Sequence, residues 1–213
     1  MKYQTLVFDL DGTLVDPLQG ILRCMNHALT SFDYKPITVA QIKPHIGPPP
    51  LEETLQVLSG SDDAEHIKTL VETYSERYGE FGYRENTLCA GVRPMLESLK
   101  GAGIRMGICT SKLQKFTIKV LDEFGLITFF DFVSGPQYGI KRSTQLADLL
   151  TDGSITIDAL MIGDRSIDLI SAKANMLPCA GVLWGYGSKQ ELSQHNPDYL
   201  FENPQQLLRN LLP

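Results

Sequence analysis

Side chains suited to phosphate and metal chemistry follow three separate apolar runs of this sequence, each at the point where the run ends. The pairs are Asp9 and Asp11, Thr110 and Ser111, and Asp164 and Asp168. In an open parallel sheet, ligands bind outside the carboxyl ends of the strands. A single aspartate after a strand is commonly a turn or helix-cap residue, whereas three strands that all end in this way indicate one shared site.

Two of the carboxylates stand close together in the chain. Asp9 and Asp11 are two residues apart, so their side chains share one face of an extended chain. Neighbouring carboxylates repel each other unless a cation neutralises them, and hard oxygen ligands suit Mg²⁺. Gly12 permits the sharp turn by which the chain leaves the sheet. With Asp164 added, the pattern predicts a magnesium site rather than an Asx turn without catalysis.

The elements that must position these groups form an alternation of strands and helices. Short apolar runs at 5–8, 104–109, 129–134, 158–162 and 179–183 predict buried parallel strands, with 199–201 as a short edge strand. Between the later strands, apolar residues recur at helical spacing at 92–99, 117–124 and 167–174. This alternation predicts a doubly wound, Rossmann-like α/β fold with a parallel sheet.

The segment from 16 to 88 differs from the rest, because it contains helical patterns and no clear strand. Its clearest helix carries an apolar stripe from Ile67 to Tyr78. The sequence therefore predicts an α/β catalytic core of residues 1–15 and 89–213. An all-helical cap of residues 16–88 is inserted into this core after the first strand.

Composition narrows the functional classes. The chain has 213 residues, a formal net charge of −6 and 43% hydrophobic residues, which suits one globular domain with an insertion. The acidic balance argues against a nucleic-acid polymer as partner. Four cysteines without a CxxC pair predict reduced thiols in a cytoplasmic protein. We expect no signal peptide and no membrane span, which would need about 18 or more consecutive apolar residues.

Taken together, the motifs resemble those of the haloacid dehalogenase (HAD) superfamily of phosphohydrolases. Its first to fourth motifs are matched by the segment 9–13 (DLDGT), by Thr110-Ser111, by Lys141 and by the segment 163–168 (GDRSID). The likeness covers essentially the whole chain. Within the superfamily it is closest to phosphoglycolate-phosphatase-like proteins with a helical cap, a group that also includes 5′-nucleotidases and pyrophosphatases.

The resemblance implies a catalytic role for four residues. Asp9 is expected to be the nucleophile that forms an aspartyl-phosphate, and Asp11 the general acid for the leaving group and then the base for water. Thr110 is expected to hydrogen-bond the phosphoryl group, and Lys141 to balance its charge. These roles agree with the physics of phosphoryl transfer, which depends on positioning and on electrostatic stabilisation.

The resemblance also implies the ligands of the metal and of the substrate. Mg²⁺ is expected between the side chains of Asp9 and Asp164 and the main-chain carbonyl of Asp11. Asp168 is either a further metal ligand or a partner of the ligands. The residues expected to contact substrate are Gly12, Thr13 and Ser111.

Two segments depart from the pattern of the family. The lysine of the third motif is usually followed by proline, whereas Arg142 follows Lys141 here. Arg142 therefore competes for the role, although we expect Lys141 to fill it. The usual tyrosine-proline before the glycine of core re-entry is replaced by Cys89-Ala90, which affects the hinge more than the chemistry.

The function implied is that of a Mg²⁺-dependent phosphatase acting on small phosphorylated metabolites, as a monomer or homodimer. Phosphoglycolate and nucleoside 5′-monophosphates are the expected substrates. One alternative is a sugar-phosphate mutase of the same superfamily, which returns the phosphoryl group to a sugar. Another is a non-catalytic binding protein on the same scaffold, which the intact set of motif residues disfavours. Asp11 separates the chain from the dehalogenases, which need no acid at that position.

Overall fold

The computed structural model describes residues 2–136 and 141–212. The chain divides into two compact units. One unit combines the residues up to Asp16 with those from Leu88 onward, and the other runs from Pro17 to Thr87. The assignment of the catalytic role to the first unit and of a cap role to the second stays a prediction.

The strands of the described residues are short. They are β1 (Thr5–Phe8), β2 (Val15–Asp16), β3 (Thr87–Leu88), β4 (Arg105–Cys109), β5 (Phe132–Ser134), β6 (Leu160–Gly163), β7 (Cys179–Val182) and β8 (Tyr199–Phe201). Six of them form one sheet in the order β5-β4-β1-β6-β7-β8, in which every pair is parallel. β2 and β3 pair with each other in the two connecting segments of the chain.

From Val92 onward, the helices alternate with the strands of the six-stranded sheet, as a doubly wound fold requires. They are α1 (Leu18–Thr30), α2 (Val39–Ile42), α3 (Leu51–Ser59), α4 (Ala64–Glu80), α5 (Val92–Gly101), α6 (Gln114–Glu123), α7 (Arg142–Thr151), α8 (Ser166–Ala174), α9 (Lys189–Ser193) and α10 (Pro204–Leu211). Helices α1 to α4 belong to the unit from Pro17 to Thr87, and the others to the sheet unit. The α/β class with a parallel sheet and an inserted helical segment is thereby confirmed.

The central strand explains why its sequence is almost wholly apolar. β1 lies between β4 and β6, with Phe8 in register with Ile108 on one side and Ile162 on the other. Leu6, Val7 and Phe8 have no exposed surface. Strands covered by helices on both faces bury both sets of side chains, so they contain continuous apolar runs rather than an alternating pattern.

The helical unit packs α1 closely against the end of α4 and the turn that follows it. Gly20 of α1 lies so near Gly82 that a Cβ atom on Gly20 would stand 2.3 Å from the main-chain oxygen of Gly82. Beside this contact, the Arg77 guanidinium forms two hydrogen bonds, of 2.9 and 3.1 Å, with the Glu85 carboxylate. None of the helices among the described residues has the length and apolar character of a membrane span.

The close approach at Gly20 leads to a stability prediction. Gly20→Ala places a methyl group against a main-chain atom that cannot move without displacing the turn, a type of overpacking that costs about 1–3 kcal/mol. We expect the melting temperature to fall by roughly 2–12 °C in a chain of this size. Gly101→Ala is the matched control, because no atom lies within 4 Å of a Cβ at Gly101 and its φ is not positive. Equal melting temperatures for the two variants would contradict the packing described here.

Candidate active site

Three adjacent strands place the polar groups at one edge of the sheet. β1 ends before Asp9, β4 before Thr110 and β6 before Asp164, and β1 lies between the other two. The main chain continues to pair at these positions, since the Asp9 N–H donates to Ile162 O at 2.9 Å and the Thr110 N–H to Ser134 O at 3.0 Å. The backbone of both residues is therefore held by the sheet itself.

The turn after β1 is pressed against the end of β6. Gly12 has a positive φ of 85°, and its N–H donates to Val15 O at 2.7 Å. A Cβ atom at Gly12 would lie 2.2 Å from an oxygen of Asp164, so only glycine fits there. The buried Thr13 hydroxyl donates to Asp164 Oδ1 at 3.3 Å. In this structure Gly12 and Thr13, which we expected to contact substrate, adjoin the carboxylate that we expected to bind metal.

Three carboxylates converge in the interior of the site. Asp9, Asp164 and Asp168 each offer an oxygen atom, and these atoms lie within 4.8 Å of one another. All three residues are buried. Burial, and next the negative charge of Asp9, raise the pKa of Asp164 to about 7. Such a cluster could hold a metal ion, whose charge would remove the repulsion.

Asp11 occupies a different environment from Asp9. One of its oxygens, Oδ2, lies 2.8 Å from the Lys112 ammonium group. The other, Oδ1, is buried and has no hydrogen-bond partner among the residues that the structure describes. Burial raises the pKa of Asp11, while the positive charge of Lys112 opposes that rise.

The cation that faces Asp9 is Arg142, and this placement departs from the expected role of Lys141. Arg142 is buried, and its Nη2 atom donates to Asp9 Oδ1 and to Ser111 Oγ, each at 2.9 Å. Its Nη1 atom forms an ion pair with Asp168. Lys141 is exposed and precedes the first residue of α7.

The residue at which α7 begins explains why the Arg142 side chain lies in the buried site. Because α7 begins at Arg142, that residue shares a face with Gln145, Leu146 and Leu149, all of which are buried. Their spacing of i, i+3, i+4 and i+7 is that of one helix face. Reading this periodicity back from Leu149 would have selected Arg142 instead of Lys141 from the sequence.

Asp168 is engaged on both of its oxygens. Oδ2 accepts the Arg165 N–H at 3.0 Å at the start of α8, and Oδ1 belongs to the ion pair with Arg142. In this arrangement Asp168 holds the arginine beside Asp9. Both roles expected for Asp168, a metal ligand or a partner of the ligands, stay predictions.

Comparison with known proteins gives the family. The family model described as haloacid dehalogenase-like hydrolase matches residues 6–182. This range contains the carboxylates, Thr110 and Arg142. The chain belongs to the HAD-like hydrolase family.

Individual relatives of this HAD-like hydrolase carry several names. A 5′-nucleotidase of Pseudomonas aeruginosa is 34% identical over 93% of this chain and 91% of its own length. The tyrosine-protein kinase PtkA of Mycobacterium tuberculosis is 32% identical over 86% of this chain and 63% of its own. Phosphoglycolate phosphatase 1 of Pseudomonas aeruginosa is 28% identical over 98% and 78%.

The fold is likewise shared with solved structures. The structure of a predicted phosphatase from Clostridium acetobutylicum matches with a TM-score of 0.90 and 30% identity, over 100% of this chain and 99% of that one.

Together, these comparisons confirm three predictions. They are the HAD-like family, the likeness to phosphoglycolate phosphatases and the enzyme class, a phosphoric monoester hydrolase. The individual site residues and their roles stay predictions.

A second turn of the hydrolase, Trp184–Gly187, forms hydrogen bonds with residues of both the first and the fourth motif. The Trp184 indole N–H donates to Thr13 O at 2.9 Å, and the Tyr186 N–H donates to Asp164 Oδ2 at 2.7 Å. The Tyr186 hydroxyl donates to Asp16. The bonds from Trp184 to Thr13 and from Tyr186 to Asp16 join residues about 170 positions apart, so no local sequence pattern predicts them.

The exchange of Lys141 for Arg142 can be tested directly. Arg142→Ala removes the cation beside Asp9, and we expect kcat/KM for a phosphate ester to fall by about 10²–10³, as for loss of one electrostatic partner of the transition state. Lys141→Ala should change it by less than about 3-fold, because this side chain is exposed. Arg142→Lys keeps the charge and should recover part of the loss. The reverse ranking of the two alanine variants would return the role to Lys141.

Proposed function

We propose that this hydrolase is a Mg²⁺-dependent phosphatase that acts on small phosphate esters through an aspartyl-phosphate at Asp9. One observation carries the proposal, namely the charge balance of the site. Four carboxylates, those of Asp9, Asp11, Asp164 and Asp168, face the two cations Arg142 and Lys112. When all four are ionised, their charge exceeds that of these two cations, and a divalent cation would balance the difference.

The donor set fits magnesium. The groups around the excess charge are carboxylate oxygens, which Mg²⁺ prefers over nitrogen or sulfur. The side chains of Asp9 and Asp164 and the main-chain carbonyl of Asp11 would hold the ion, and Asp168 offers a further carboxylate oxygen within the same cluster. When bound, Mg²⁺ supplies charge neutralisation between the carboxylates and an anionic substrate.

The chain's own residues would then carry the two steps. A carboxylate oxygen of Asp9 attacks the phosphorus as the bond to the alcohol oxygen breaks, and Asp11 gives its proton to that alcohol. Water then attacks the phosphorus of the aspartyl-phosphate while Asp11 takes back a proton, and Asp9 leaves as a carboxylate. Burial of Asp11 raises its pKa, which favours the proton-bearing form needed in the first step. Arg142 lies where it would bind the phosphoryl oxygens next to Asp9.

The substrate is proposed from the names of relatives. Phosphoglycolate and nucleoside 5′-monophosphates are the first candidates, because relatives are named phosphoglycolate phosphatase and 5′-nucleotidase. A sugar-phosphate mutase remains the alternative enzyme, and release of inorganic phosphate separates the two. A cytoplasmic location, a monomeric or homodimeric state and the lack of nucleic-acid partners also stay predictions.

A panel of phosphate esters tests the proposed function. With Mg²⁺ present, we expect release of inorganic phosphate from phosphoglycolate, a nucleoside 5′-monophosphate or both, and no release in excess EDTA. Mg²⁺ should also raise the melting temperature of the wild-type protein, because a ligand that binds the folded state stabilises it. Asp164→Asn should lose this rise. Full activity in the chelator would contradict the metal assignment.

The roles of the two first-motif aspartates can be separated with p-nitrophenyl phosphate, whose leaving group needs little protonation. Asp9→Asn should stop the chemistry, because no aspartyl-phosphate can form. Asp11→Asn should still be phosphorylated but lacks the base for hydrolysis, so we expect a burst of nitrophenolate and a mass gain of one phosphoryl group on the peptide with Asp9. A burst with Asp9→Asn, or a mass gain at another residue, would overturn the assignment.

A further inference from the structure

Lys112 belongs to none of the motifs, and the proposed function uses only its positive charge. It follows Thr110 and Ser111 after β4, and its side chain is only 8% exposed. A lysine is rarely buried to this extent unless it is paired. Its partner is Asp11, whose Oδ2 lies 2.8 Å from the Lys112 ammonium nitrogen.

The main chain holds Lys112 in place independently of that ion pair. Its N–H donates to the Thr110 hydroxyl oxygen at 3.3 Å, and its carbonyl accepts the Thr117 hydroxyl at 3.1 Å. Gly135 packs so closely that a Cβ there would stand 2.6 Å from the Lys112 carbonyl oxygen. The ammonium group is thus tethered to a fixed point at the end of β4.

Asp11 is held by one oxygen only. While Oδ2 is engaged by Lys112, Oδ1 is buried without a hydrogen-bond partner among the described residues. An unpaired buried carboxylate oxygen is costly, so its retention here indicates a use. A carboxylate that is anchored through one oxygen can exchange a proton only through the other.

We propose that Lys112 is a positioning residue for the acid/base carboxylate. By holding Oδ2 of Asp11, it directs Oδ1 toward the leaving-group oxygen and then toward the attacking water. The proton moves between Oδ1 and these oxygens, and Lys112 keeps all of its own protons throughout. This inference rests on the proposed function, because it assigns Lys112 to the step in which Asp11 acts.

The test uses two esters that differ in their need for an acid. Lys112→Met keeps an unbranched side chain of nearly the same length and removes its charge and hydrogen bonds. Since kcat/KM reports on the steps through loss of the alcohol, we expect it to fall at least about 10-fold for an alkyl phosphate, which needs general acid catalysis. For p-nitrophenyl phosphate it should change by less than about 3-fold. Lys112→Arg should recover part of the loss.

The controls separate positioning from folding and from substrate binding. Lys115→Met is the matched variant, since Lys115 is an exposed lysine on α6 that contacts the Phe116 ring, and we expect it to leave both esters unaffected. In the Asp11→Asn background, Lys112→Met should have no further effect on kcat/KM, because its action passes through Asp11. Equal losses for both esters would show a role in folding or phosphoryl binding and would overturn the inference.

A structural readout keeps the inference separate from the proposed function. If the wild-type protein hydrolyses none of the esters, it is the proposed function that fails. A crystal structure of Lys112→Met then still decides whether Lys112 orients Asp11, because we expect the Asp11 carboxylate to turn away from its wild-type direction. An unchanged Asp11 side chain would overturn the inference.

Discussion

The arrangement of this protein depends on the burial of an excess of negative charge at one edge of a parallel sheet. Carboxylates removed from water repel one another and favour their neutral forms, which is why burial and the charge of Asp9 raise the pKa of Asp164 to about 7. Neighbouring residues either offset the free-energy cost of burying the carboxylates or hold the carboxylates in position. Arg142 and Lys112 supply two positive charges, and a divalent cation would supply the remainder.

The main chain around the carboxylates approaches them closely, because glycines stand at the points of contact. Gly12 and Gly185 lie against Asp164 with no room for a Cβ atom. The turn from Trp184 to Gly187 donates its hydrogen bonds inward, to Asp164 and to the main chain of Thr13. Such contacts fix the carboxylate oxygens to within a small range, and phosphoryl transfer relies on this kind of positioning. The free energy gained by burying the apolar strands thus offsets the cost of burying these charges.

The relatives show how little the fold alone says about the substrate. Proteins named 5′-nucleotidase, phosphoglycolate phosphatase and tyrosine-protein kinase share this chain's sequence pattern at similar levels of identity. One fold can serve several different reactions, so the shared fold does not by itself identify the substrate. The phosphatase class therefore follows from the family, and the proposed esters follow from the names of relatives.

The sequence by itself determined the strands, the helical insertion and the position of the carboxylates, because apolar periodicity and the residues that end a strand are local signals. It also indicated the family, through the residues that resemble its four motifs. Only the tertiary structure decided that Lys112 contacts Asp11, and it placed Arg142 beside Asp9 where the family likeness had favoured Lys141. One residue along a helix turns a side chain by about 100°, so the exact start of α7 selects the cation. Contacts between residues 100 or more positions apart depend on how the strands are ordered, which no local pattern records.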